Sequence, residues 1–269
     1  MNQLVIQAPS LRAWLKTMLP SSECKHVSES DCCTLSIQSL TVVNDRGEEE
    51  QQNVLYGETS QPSFSMALQL PLTSPDVEAG NVAVRITTRE LDNALASFGQ
   101  KTIRLMLIPE GGILLTTIPQ LDAEGVPMAA PTRTFKVRGE AVEFVALPEP
   151  PSDTFAQLPD PAVFIDALGS CVGIAAVRGN GLKKSGVTLT CTPDALIVEG
   201  RNSDVVAQAH HDAPWTVAPA ETHTMVLSTD TVRHLIAALR TCSHAQPVTL
   251  AHEADMLVIQ TDCVCMKCD

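Results

Sequence analysis

One pattern, a strand followed by a helix and two more strands, occurs twice in this chain of 269 residues, once near the end of each half. The first copy covers residues 82–118 and the second covers residues 225–261. In each copy, alternating apolar residues predict the strands, and apolar residues three and four positions apart predict one amphipathic helix. A repeat of this kind predicts a chain built from two similar domains.

Polar residues mark the start of the predicted helix in both copies. In the first copy, Thr87 and Glu90 fit a capping box, in which the threonine caps the helix and the glutamate reaches back. In the second copy, the cap is expected from the stretch Ser228, Thr229 and Asp230. Gly99 is expected to end the first of these helices.

A weaker copy of the pattern opens each half. Leu4–Ile6 predicts a strand that leads into a short helix, and a strand at 34–40 follows. In the second half, Val163–Ile165 predicts a strand, and a helix is expected from Asp166 to about Val177. Each predicted domain therefore has two helices packed on antiparallel sheets, which makes the fold class α+β.

Proline-rich and charged stretches predict the boundaries. We expect a first domain at 1–147, a stiff connector at 148–161 that is rich in proline, and a second domain at 162–269. Residues 44–53, which include three consecutive glutamates at 48–50, and residues 122–132 predict surface loops.

The net charge of −13 argues against a general nucleic-acid binder, unless the basic residues are concentrated where nucleic acid passes. Half of the 18 basic residues do lie on or beside the four predicted helices. These candidate DNA-contacting residues are Arg12, Lys16, Arg89, Lys101, Arg178, Lys183, Lys184, Arg233 and Arg240. The alternative is that they are ordinary solvated residues, since helix ends collect lysine and arginine for dipole reasons alone.

Nine cysteines, an odd number without framework spacing, predict free thiols in a reducing compartment. Cys263, Cys265 and Cys268 could bind zinc or copper, with a fourth ligand from Cys242, His244 or His252. We favour the alternative of a frayed C-terminal tail whose thiols happen to cluster, and we expect no metal and no cofactor. The N-terminus lacks the pattern of a signal peptide, and no stretch is apolar enough to span a membrane.

Enzyme motifs are missing from the sequence. Gly179–Ser185 lacks the spacing of a phosphate-binding loop, and neither G-x-S-x-G nor H-E-x-x-H occurs. His210 and His211 are adjacent, so in a strand their rings point to opposite faces. We therefore predict a protein that is not an enzyme.

Three stretches of the chain resemble the sliding-clamp superfamily, to which PCNA belongs. They are Val84–Leu95, the two segments Val142–Pro148 and Leu158–Ile165, and Met225–Asp262. Within the superfamily they are most similar to the Hus-type subunit of the nine-one-one DNA-damage checkpoint clamp. The resemblance implies a DNA clamp fold in which the helices line a central hole and their basic residues face the phosphates of DNA.

The resemblance also implies partners. It predicts a nuclear heterotrimer with two other clamp subunits, which encircles double-stranded DNA, is placed there by a clamp loader, and tethers repair and checkpoint proteins. Client peptides would dock at an apolar partner pocket, although plain packing of the same side chains is an equal alternative. The candidate pocket residues are Leu40, Val43, Leu147, Pro148 and Phe155.

Two other functions stay open at this point. A homotrimeric, PCNA-like polymerase processivity factor would have the same fold. A metal-binding or redox protein would instead use the cysteine cluster at the C-terminus.

Overall fold

The computed structural model describes residues 2–19, 31–43, 46–61, 63–72, 77–119, 132–144, 151–175, 186–202, 204–241 and 247–269. The chain divides into two compact units. Unit 1 comprises Met1–Ser60 and Gln69–Leu147, and unit 2 comprises Gln61–Leu68 and Pro148–Asp269. No helix in the described ranges is long and apolar enough to cross a membrane.

The described residues of the first half of the chain form two helices and nine strands. In chain order they are β1 (Asn2–Gln7), α1 (Ala8–Lys16), β2 (Cys32–Val43), β3 (Glu49–Gln61), β4 (Phe64–Leu72), β5 (Ala83–Thr87), α2 (Thr88–Ala96), β6 (Thr102–Leu107), β7 (Ile113–Thr117), β8 (Thr134–Val137) and β9 (Gly139–Val142). In unit 1, β1–β6–β7–β8 form one antiparallel sheet, and β3–β2–β5–β9 are neighbours in another.

In the second half, two helices and eight strands lie within the described ranges. They are β10 (Asp153–Leu158), α3 (Pro161–Ala175), β11 (Gly186–Cys191), β12 (Ala195–Arg201), β13 (Val206–Asp212), β14 (His223–Ser228), α4 (Thr229–Thr241), β15 (Val248–Glu253), β16 (Met256–Gln260) and β17 (Val264–Cys268). In unit 2, one sheet has the order β13–β12–β11–β14. The other has the order β10–β15–β16–β17, and β17 pairs in turn with Phe64–Leu68 of β4.

The two units repeat one topology, which confirms the predicted repeat. The order β1–β6–β7–β8 in unit 1 corresponds to β10–β15–β16–β17 in unit 2, and β3–β2–β5 corresponds to β12–β11–β14. In each unit the two helices pack against each other, α1 on α2 and α3 on α4. The predicted α+β class, with two helices and antiparallel sheets in each half, is therefore correct.

Apolar side chains on one face hold each helix in place. Leu11, Trp14 and Leu15 of α1 are fully buried, at the spacing of one helical face. In unit 2, α3 lies very close to β12, since Gly200 faces the backbone of Cys171. A glycine is needed there because a side chain would overlap the helix.

The cap predictions had mixed outcomes. Ser228 caps α4 as expected, because its Oγ accepts the backbone N–H of Thr231 at 3.0 Å. Thr87 is the N-cap of α2, but its side chain makes no capping hydrogen bond, so the predicted capping box with Glu90 is wrong. The helix also ends before Gly99, at Ala96, although Gly99 does take the left-handed conformation with φ of 58°.

The start of the second half was predicted wrongly. Val163–Ile165 lies inside α3 rather than in a strand. Asp160 caps this helix, since its Oδ1 accepts the N–H of Ala162 at 2.8 Å, and Pro161 suits the first helical position. The strand that precedes the helix is β10, which occupies 153–158 of the expected connector.

Two more expectations need correction. The C-terminal tail is not frayed, because residues 264–268 form β17 in the middle of a sheet. The loop expected at 44–53 is a strand from Glu49 onward, because β3 pairs with β2 in continuous register from Glu49 to Thr59. The loop expected at 122–132 lies almost wholly outside the described residues. The predicted domain boundaries stay a prediction.

Candidate nucleic-acid interface

Helix α1 exposes one of its two basic residues. Lys16 is exposed in the last turn, where the helix dipole favours a cation. Arg12 is half-buried and forms a two-pronged ion pair with Asp92 of α2, with Nε to Oδ1 at 2.7 Å and Nη2 to Oδ2 at 3.2 Å. The hydrogen bond to Asp92 raises the pKa of Arg12, so this arginine remains a cation whose charge is balanced within unit 1.

Helix α2 carries an exposed cation at its beginning. Arg89 is the second residue of the helix and is exposed, as are Glu90 and Asn93. The helix dipole disfavours a positive side chain at that end. Dipole effects therefore do not account for Arg89, and its contact with DNA stays a prediction. Lys101, five residues beyond the end of the helix, is half-buried.

Helix α3 lacks basic residues in its described length. Its exposed positions are Ala162, Asp166, Gly169, Ser170 and Gly173, which are small or acidic. The predicted contact residues Arg178, Lys183 and Lys184 lie outside the described residues. In unit 2, the described part of this helix thus has no basic side chain that could bind a phosphate.

Helix α4 presents two arginines on one exposed face. Arg233 and Arg240 are exposed and seven residues apart, which corresponds to about 10.5 Å along the helix axis. Arg233 also lies 3.5 Å from Asp230, but both side chains are partly solvated, so this ion pair leaves the arginine available. His234 turns inward, where its ring contacts Phe64.

The cations of the described helices are therefore grouped unit by unit. In unit 1, Lys16 and Arg89 are exposed on the packed pair α1 and α2, and in unit 2 the exposed pair belongs to α4. Exposed cations on helices fit a polyanion that is bound through its phosphates. Asp92, the partner of Arg12, was not singled out from the sequence, because only the packing of α1 on α2 reveals it.

The predicted partner pocket is described only in part. Leu40 is half-buried in β2, Val43 ends that strand, and Leu147 and Pro148 lie outside the described residues. Phe155 lies in β10 and stacks on the rings of His223 and His252 within unit 2. This set of residues stays a prediction.

The cysteine cluster is dispersed along a strand. Cys265 and Cys268 are buried in β17, and Cys263 is half-buried just before it. Burial raises the pKa of the Cys268 thiol to about 12, which disfavours the thiolate that a metal would need. Among the described residues, no group of three or more histidine, cysteine, aspartate or glutamate side chains could hold a metal ion.

Comparison with known proteins gives no relative at the level of sequence. No protein-family model matches the chain, and a search of curated proteins also finds no match. Solved structures do match. The β subunit of DNA polymerase III from Thermotoga maritima superposes with a TM-score of 0.68 at 10% identity, over 99% of this chain and 63% of that one.

Two further bacterial structures agree with this result. The DNA polymerase III β chain from Streptococcus pneumoniae has a TM-score of 0.68 at 11% identity, over 100% of this chain and 64% of that chain. This chain has the sliding-clamp fold. The Helicobacter pylori β clamp, solved bound to a DNA ligase peptide, has a TM-score of 0.64 at 12% identity, over 99% of this chain and 66% of that chain.

The clamp fold extends over the whole chain, but this chain spans slightly less than two thirds of the three bacterial proteins. Helices α1 to α4 and the repeated sheets are thus elements of a clamp fold. At 10 to 12% identity the similarity establishes the architecture alone.

Proposed function

We propose that this chain is a subunit of a ring-shaped sliding clamp, which encircles double-stranded DNA and tethers other proteins to it without catalysing a reaction. The observation that carries the proposal is the exposure of cations on the helices of a clamp fold, above all Arg89, which the helix dipole disfavours at its position. Phosphate contacts of this kind carry no sequence information, so binding is nonspecific and sensitive to salt.

Free strand edges support assembly into a ring. Among the described strands, β8 lies at the edge of its sheet in unit 1, and β13 lies at the edge of its sheet in unit 2. In the repeat, β8 corresponds to β17, and β17 pairs with Phe64–Leu68. We propose that β8 and β13 pair in the same way with neighbouring clamp subunits, which would satisfy backbone groups that otherwise invite aggregation.

The finer proposal is a DNA-damage checkpoint clamp, and it rests on the resemblance in sequence to the Hus-type subunit. In that case the ring is a heterotrimer with two different clamp subunits in the nucleus. A clamp loader places it on DNA, and it holds repair and checkpoint proteins there.

A polymerase processivity factor is the second candidate, and the solved structures favour it. The similar structures from Thermotoga maritima and Streptococcus pneumoniae are β subunits of DNA polymerase III. In this case the ring consists of copies of the same chain.

Light scattering on the purified protein distinguishes the two candidates. If the purified chain alone is a monomer of 28.8 kDa, and if it co-purifies from cells with two different clamp subunits, the checkpoint clamp is supported. A particle three times as heavy, formed by this chain alone, supports the processivity factor.

A topological experiment tests the ring itself. The assembled complex is loaded on nicked circular DNA, and the DNA is then cut once. A ring stays on the circle at high salt and slides off the linear form. Equal retention on circular and linear DNA would contradict encirclement.

A further inference from the structure

Two histidines of unit 2 meet although they are 29 residues apart in sequence. His223 begins β14 and His252 lies in β15, so they come from the two different sheets of the unit. Their facing nitrogens, Nδ1 of His223 and Nε2 of His252, are 3.2 Å apart, which is within hydrogen-bonding distance. Both side chains are half-buried, so they are held by their surroundings and still reachable from solvent.

Phe155 fixes the orientation of both imidazoles. Its ring stacks on His223 with centroids 4.1 Å apart and on His252 with centroids 4.8 Å apart, at interplanar angles of 20° and 25°. The two imidazole centroids are only 5.2 Å apart, so both rings lie over the same face of Phe155. A β-bulge between Thr154 and Ala156 places Phe155 in this position, and bulges commonly redirect a side chain in this way.

The separation of the two nitrogens matches two ligands of one metal ion. Zinc binds imidazole nitrogen at about 2.0–2.1 Å in tetrahedral geometry, which places two ligand nitrogens about 3.3 Å apart. We propose that His223 and His252 are two ligands of a zinc-class transition-metal ion. In the described part of the chain no third ligating side chain joins them. Open zinc sites usually have three protein ligands and one water, so this pair leaves one more coordination position to water than such a site does.

Other candidate ligands fit less well. Cys265 and Cys268 are buried in the strand β17 and do not cluster with the histidines. His210 is an exposed histidine whose Nε2 lies 3.1 Å from Asp212 on the same strand, and no aromatic ring of the described residues stacks on it. This third histidine is a suitable control, because it is also a strand residue of unit 2 but lacks a facing imidazole.

Zinc titration of the full chain tests the site. The protein is freed of any histidine tag, stripped with a chelator, and titrated with ZnCl2 by calorimetry. We expect one zinc per chain, and at least a tenfold loss of affinity in His223→Ala and in His252→Ala, since changes even to groups around metal ligands cost about 10–100-fold. His210→Ala should bind zinc as the unchanged protein does.

Two additional variants guard against trivial loss of binding through misfolding. His223→Gln and His252→Gln keep a polar side chain of similar reach, and circular dichroism checks that they fold. Co²⁺ then replaces zinc as a spectroscopic probe, and its spectrum should show nitrogen and oxygen ligation without thiolate bands. Failure of the unchanged protein to bind zinc would overturn the proposal. So would zinc binding that survives in both folded glutamine variants, or a thiolate spectrum with Co²⁺.

Discussion

The contact between α3 and β12 predicts a large effect from a very small substitution, Gly200→Ala. A Cβ on Gly200 would overlap the carbonyl oxygen of Cys171 and lie 2.8 Å from its carbonyl carbon and 3.1 Å from its Cα. All three atoms belong to the helix backbone, so no side-chain rotation relieves the overlap. Overpacking of this kind costs about 1–3 kcal/mol, and we expect the upper part of that range because the helix itself has to move.

Two glycines of α3, the helix that Gly200 contacts, provide a matched control. Gly169 and Gly173 lie on the exposed side of α3, and a Cβ on either meets no described atom outside the helix backbone within 4 Å. Alanine in a helix interior is more stable than glycine by about 0.8–1.0 kcal/mol. Gly169→Ala is therefore expected to stabilise unit 2, and Gly173→Ala to do so less because it lies closer to the helix end.

Urea unfolding followed by tryptophan fluorescence measures both effects. The two tryptophans report on different units, since Trp14 lies in unit 1 and Trp215 in unit 2. A Trp14→Phe background leaves Trp215 as the sole reporter, and its indole N–H is held by the carbonyl of Thr192 at 3.0 Å. The midpoint should fall for Gly200→Ala and rise for Gly169→Ala at unchanged m. A neutral Gly200→Ala, or equal losses at Gly200 and Gly169, would refute the described packing.

Three further outcomes follow from local geometry. Ser228→Ala should lower the free energy of unfolding by about 1 kcal/mol, because it removes the cap of α4. Thr87→Ala removes no capping hydrogen bond, so it should leave the free energy of unfolding unchanged. Urea unfolding tests both variants. Burial raises the pKa of Cys268 to about 12, so this thiol stays protonated at pH 8. Mass spectrometry after iodoacetamide should therefore find the half-buried Cys263 labelled before Cys268, and Cys268 labelled only after unfolding. Asp92→Asn removes the carboxylate that neutralises the arginine of α1, so the slope of DNA affinity against salt should steepen by about 0.9. An unchanged slope in this variant would mean that the released arginine does not reach a phosphate.

The repeat was predictable from sequence because it depends on short periodic patterns. Strands such as β6 and β7 alternate regularly, and α4 combines an apolar face with a serine cap, so each element is specified locally. The beginning of α3 was missed because the prolines around Asp160 were assigned to a connector, although Pro161 occupies a position that proline favours in helices.

Elements that depend on distant partners were not predictable in the same way. The strand β17 consists largely of cysteine, methionine and lysine, and pairs with residues about 200 positions earlier in the chain. From the spacing of its cysteines alone, this segment therefore suggested either a metal site or a frayed tail. Strand pairing, rather than local pattern, determines its structure.

In the candidate interface, too, some residues could be placed from local sequence and others only from tertiary packing. Arg233 and Arg240 could be placed on one helix face from their spacing alone, and both are exposed. The neutralisation of Arg12 depends on the packing of α1 on α2, which brings Asp92 to it. The pair His223 and His252 likewise depends on two sheets meeting, so no sequence motif indicates it.

The salt dependence of DNA binding tests the central claim most directly. Affinity of the assembled complex for a short duplex is measured across a range of salt concentrations. Alanine replaces Lys16, Arg89, Arg233 or Arg240 in turn and, as controls, the exposed strand residues Arg85 or Arg104. If the helices face DNA, each helix substitution should reduce the slope of log affinity against log salt by about 0.9, and the strand substitutions should leave it unchanged. Slopes that respond to the strand residues but not to the helix residues would contradict the account.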